Sequence, residues 1–133
     1  MILVDSSVWI DFLRGTRSRA TDEMRRLLAR PIQPAVTEPI VMELLAGASD
    51  DAALRRLELL TTGLPMLRID PELDYRDAAT IYRSARRAGM TIRRLNDCLI
   101  TAVALRHDAT LWHKDADFVA LAGIAPLLHE DLR

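Results

Sequence analysis

The sequence predicts an α/β fold in which a parallel sheet is flanked by helices on both faces. Three observations predict it. Short apolar runs stand at Met1–Val4, Leu64–Ile69 and Ala109–His113, each as long as a buried strand. Longer segments with helical periodicity separate them, the clearest at Glu72–Ala88. At 133 residues and 50% apolar composition, the chain suits a single domain, 1–133, with one core.

The elements follow in order. Met1–Val4 is a strand ending in an acid. Ser7–Leu13 and Ala20–Ala29 are helices. Ile32–Val36, between prolines at 31 and 34, is a weaker strand. Pro39–Ala46 is a helix with proline in its first turn and Gly47 as its stop. Asp51–Leu60 is amphipathic, and the strand Leu64–Ile69 comes next. Glu72–Ala88 ends at Gly89. Asp97–Arg106 is an apolar helix, Ala109–His113 a strand and Asp117–Ala122 a short helix. Ala125–Leu128 is the last strand.

Composition removes several function classes. The lone Cys98 leaves no internal disulfide, and His107, His113 and His129 lack zinc-site spacing. The five glycines are isolated, so no phosphate-cradling loop is present. No signal peptide and no membrane-spanning run is visible, which makes a reducing cytoplasmic setting the expectation. Net charge is −1, so the chain as a whole does not advertise nucleic-acid binding. One segment differs: Arg83 to Arg94 carries five arginines and no acid. Arginine suits bidentate phosphate contacts, which makes Arg93 and Arg94 candidates for RNA binding.

Acids stand at four places where an acid is costly, two of them at the last place. Asp5 ends the first apolar run. Glu43 lies between Ile40–Met42 and Leu44–Ala46. Asp97 heads the apolar run Cys98–Leu105, although Asn96 and Asp97 are also good helix caps. Asp115 and Asp117 follow the strand Ala109–His113, and Asp117 could equally cap the next helix. In parallel sheets, ligands bind at the carboxyl ends of strands, where these acids would gather. At ~4 Å and an effective dielectric of ~20, each like-charged pair repels by about 4 kcal/mol. A small domain is stable by only about 5–15 kcal/mol. Such a cluster implies protons, arginine partners or a cation, and an all-oxygen set suits Mg²⁺ or Mn²⁺. That chemistry fits phosphodiester hydrolysis without a side-chain nucleophile. Ser7 either orients a water or phosphate there or caps the following turn.

These segments resemble PIN-domain toxins of the VapC group. The resemblance runs through MILVDSSVWIDFLRG, EPIVMELLAG, NDCLITAVAL and ATLWHKDADF, in order and across the chain. It implies a PIN-like fold and a metal-dependent endoribonuclease whose acids are Asp5, Glu43, Asp97 and Asp115, with Asp117 as an additional ligand. It also implies a tRNA or other structured RNA substrate, Mg²⁺ with Mn²⁺ as the alternative, a VapB-type antitoxin and a homodimer. His113 departs from the pattern, since many relatives carry Thr or Ser there. Two other readings compete. One is a receiver-like phosphoacceptor domain using Asp70 and Lys114, although the first strand lacks the acidic pair that such a domain needs. The other is a catalytically inactive PIN binding module.

Overall fold

A computed structural model describes all residues, Met1–Arg133. Ten elements follow in order: β1 (Ile2–Val4), α1 (Ser6–Arg14), α2 (Arg19–Leu28), α3 (Glu38–Ala46), α4 (Asp51–Thr62), α5 (Asp74–Arg87), α6 (Leu95–Arg106), β2 (Thr110–His113), α7 (Ala116–Ala122) and β3 (Leu128–Asp131). The sheet is parallel throughout, in the order β1-β2-β3. Val4 pairs with Trp112, and His113 with Asp131. Leu3 and Val4 point to opposite faces of β1, and both are fully buried, so the sheet is covered on both sides there.

Two expected strands are corrected. Ile32–Val36 and Leu64–Ile69 contribute only single bridges, Leu3 to Ala35 and Val36 to Met66, both parallel. Each bridge keeps its backbone hydrogen bonds, such as Ala35 N to Ile2 O at 2.8 Å and Leu67 N to Val36 O at 2.7 Å. Pro31, Pro34 and Pro65 have no amide hydrogen, so a longer ladder has missing donors. The last strand begins at Leu128 rather than Ala125. Pro126 again removes a donor, and Leu127 N turns back to Ala125 O at 2.7 Å before pairing starts.

Helix α6 is the central element. Every residue from Asp97 to Ala104 is buried, so the helix has no solvent face to discard. It lies against α5, which offers Ala78 and Ala85 to the contact. An ion pair locks the far end of this couple. Asp74 is fully buried and accepts from Arg106 Nε and Nη2, both at 2.8 Å. The same Nη2 donates to Arg68 O at 2.6 Å. No helix is long and apolar enough to cross a membrane.

Candidate metal and active site

Asp5 leaves β1 and serves as the N-cap of α1, its Oδ2 accepting from Ser7 N at 3.2 Å and Ser7 Oγ at 2.5 Å. Ser7 thus serves the turn as donor to its cap, and its Oγ also accepts from Lys114 N at 3.2 Å. This serine ties the end of β1 to the loop after β2. Asp5 is 3% exposed. Burial pushes its carboxyl above the usual range, the Ser7 hydrogen bonds oppose the rise, and the Glu43 charge adds to it.

Asp97 is not a cap. Helix α6 starts two residues earlier than expected, at Leu95, with Arg94 as an N-cap that makes no side-chain hydrogen bond. Asp97 therefore sits inside the first turn, where its own amide donates to Arg94 O at 3.1 Å. It is 1% exposed, and its Oδ2 has no hydrogen-bond partner. Burial raises its pKa to about 7. Arg94 works against the rise, and Asp5, Asp115 and Glu43 reinforce it. A buried polar atom left without a partner is rare and costly.

Asp115 caps α7 through Oδ1, which accepts from Asp117 N at 2.9 Å. Oxygens of Asp97, Asp115 and Asp117 lie within 4.8 Å of one another. Arg93 Nη2 reaches Asp115 Oδ1 at 2.8 Å, and its Nε reaches Asp117 Oδ2 at 3.2 Å. Arg94 Nη2 donates to Asp115 Oδ2 at 3.0 Å. Burial alone would raise Asp115. The Asp117 amide and the two arginines outweigh it and hold the carboxyl below the usual range. The expected RNA-binding pair thus lies on the acids rather than free in solvent.

Glu43 is less enclosed than its apolar neighbours suggested, because Met42 beside it is 59% exposed. Its position is nevertheless fixed. Ser6 Oγ donates to one carboxylate oxygen and Asn96 Nδ2 to the other. Glu43 thereby joins the residue after Asp5 to the residue before Asp97.

Ser6, Asn96 and His113 are the functional neighbours that the sequence did not assign. Asn96 read as a helix cap, and only the true start of α6 turns it toward Glu43. His113 is fully buried, and its Nδ1 accepts from Asp115 N at 3.1 Å. The phosphoacceptor reading loses its residues. Asp70 Oδ1 accepts from the Glu72 and Leu73 amides, and Lys114 pairs with Asp11. Cys98 is a buried, unpaired thiol whose pKa burial pushes up to about 11, so it is no nucleophile.

The residues present fit a hard divalent cation. The donor set is carboxylate oxygen throughout, and one of those oxygens is buried without a partner.

Comparison with known proteins identifies the family. A family model described as the PIN domain matches residues 2–124. A VapC ribonuclease of Mycobacterium bovis and Ribonuclease VapC11 of Mycobacterium tuberculosis are each 52% identical over 128 residues, covering 96% of this chain and 96% of theirs. Among solved structures, VapBC-1 from nontypeable Haemophilus influenzae superposes with a TM-score of 0.77 at 22% identity, covering 99% of this chain and 98% of that one. VapBC2 from Rickettsia felis, bound to a DNA fragment from its promoter, gives 0.79 at 17% identity with both chains fully covered. The family model spans most of the chain and the identity to VapC ribonucleases runs over nearly its whole length: the chain belongs to the PIN-domain family, among the VapC proteins.

Proposed function

We propose that this chain is a cytoplasmic endoribonuclease, the toxin of a toxin–antitoxin pair, that hydrolyses RNA phosphodiester bonds with Mg²⁺ or Mn²⁺. Asp5, Glu43, Asp97 and Asp115 hold the ion, with Asp117 as a further ligand. Structured RNA such as tRNA is the substrate, and a VapB-type antitoxin neutralises the activity. Half-identical VapC ribonucleases over nearly the whole chain support the ribonuclease reading. Structures of VapBC assemblies with the same fold support the partner.

The observation that carries the proposal is Asp97 Oδ2, buried and without a hydrogen-bond partner among four other acids. A purely structural carboxylate in that place is a liability, whereas a ligand is held ready. A bound divalent ion supplies Lewis acidity, acidifying a water and offsetting charge on the attacked phosphate. The protein does the rest. Ser7 holds Asp5, while Ser6 and Asn96 hold Glu43. Arg93 and Arg94 neutralise Asp115 and Asp117, and turn to the RNA phosphates when a cation takes those oxygens.

The test is Asp97→Asn, assayed for RNA cleavage in Mn²⁺ and in chelator, with melting temperatures in both. Cleavage is expected to fall at least about 100-fold, since a ligand of a hard ion is lost. Metal-free stability is expected to match or exceed the parent's. Cleavage at the parent's rate, or loss of activity through unfolding alone, would sink the assignment. Growth arrest on expression, relieved by the cognate antitoxin and absent for Asp97→Asn, tests the toxin role.

A further inference from the structure

His113 ends β2 and is fully buried, its ring packed against Phe118 with centroids 5.1 Å apart. Two contacts define its hydrogen positions. Nδ1 lies 3.1 Å from Asp115 N, which can only donate. That nitrogen is therefore bare, and a neutral ring must carry its hydrogen on Nε2. Nε2 lies 3.0 Å from His129 Nδ1, so His113 donates and His129 accepts. His129 sits on β3, half-buried, with its ring nearly parallel to that of His113 at 20°. The donors thus run one way, from the Asp115 amide to His113 and from His113 to His129.

The consequence falls on Asp115. Its backbone is the N-cap of α7, its Oδ1 accepts from Asp117 N, and it meets both Arg93 and Arg94. Fixing its amide fixes where the carboxylates of Asp115 and Asp117 stand relative to Asp97. We infer that His113, locked in its Nε2–H tautomer by His129, is a positioning residue that sets Asp115 and Asp117 for metal binding. The inference rests on the proposed ligand role of Asp115.

The experiment uses the full chain stripped of metal and titrated with Mn²⁺. Long-range proton–nitrogen spectra of the parent at pH 7 should find His113 with hydrogen on Nε2. Hydrogen on Nδ1, or on both nitrogens, overturns the inference. His113→Leu keeps an apolar filling but removes the acceptor. It should bind Mn²⁺ about 10-fold more weakly, with faster hydrogen exchange at the Asp115 amide. His113→Asn places an oxygen near the position of Nδ1 and should stay within about threefold of the parent. Parent-like Mn²⁺ affinity in His113→Leu overturns the inference, and so does His113→Asn binding no better than His113→Leu. Should His113→Leu fail to fold, His129 decides. His129→Leu removes the acceptor for Nε2–H and should weaken Mn²⁺, while His129→Asn should not, and equal affinities overturn the lock. A parent that binds no Mn²⁺ overturns the ligand role of Asp115 and this inference together. A parent that binds while His113→Leu is indifferent overturns this inference alone.

Discussion

Asp97 Oδ2 lies 3.6 Å from Arg94 Nε, close enough for charge attraction and without a hydrogen bond. The arginine softens the burial of the carboxylate and does not relieve it, and the pKa of about 7 is the measure of what remains.

Without metal, the folded state holds a proton on Asp97 that the unfolded chain releases near its ordinary pKa of 3.8. The associated stability is complete below about pH 4 and is lost as pH rises through about 7. The difference between 3.8 and about 7 corresponds to about 4 kcal/mol. Asp115, with its lowered pKa, acts in the opposite sense, so the comparison must be with Asp97→Asn. In chelator, the melting temperature of Asp97→Asn should gain on the parent steadily from pH 4 to pH 8. A constant gap between the two would refute the raised pKa.

Arg93→Ala should move two readouts in opposite directions. Arg93 spans Asp115 and Asp117, so its loss releases Asp117 and leaves Asp115 with Arg94 alone, and Mn²⁺ affinity measured without RNA should rise. RNA affinity should fall, and its salt dependence should flatten by about one unit of slope for a lost phosphate contact. An unchanged salt slope would leave Arg93 as a partner of the acids only.

Ser7→Ala should shift the pH profile of cleavage. The Ser7 hydroxyl is a force lowering the Asp5 pKa, so removing it should raise that pKa further. The acidic limb of the kcat profile should then move to higher pH, with kcat falling about 10-fold. A profile superimposable on the parent's would show that Ser7 serves only the helix turn.

Arg106→Leu should destabilise without touching chemistry. It leaves the Asp74 carboxylate buried and unpaired, at a cost of about 3–5 kcal/mol. The melting temperature should drop by about 10 °C or more, while kcat at a permissive temperature stays at the parent's value.

Much of this was legible in the sequence because its physics is local. Asp5, closing the apolar run Met1–Val4, places a carboxylate at a sheet edge whatever the rest of the chain does. What depended on distant partners was less legible. The bridges at Ala35 and Met66 look like strands until the prolines beside them are counted as missing donors. Asn96 and Asp97 both suit a cap, and only packing decides that α6 begins before either. Nothing near His113 in sequence announces His129 as its partner, because the pairing of β2 with β3 brings them together. The apolar flanks of Glu43 overstated its burial, since a short helix on the surface can leave a methionine in water.

The acids stand at positions 5, 43, 97 and 115, and the strand that braces the last of them follows at Leu128–Asp131. No contiguous half of the polypeptide contains the set. A chain emerging from a ribosome therefore carries an incomplete centre until its final strand is free to pair. The order of residues thus leaves the proposed centre without its brace until synthesis has passed β3.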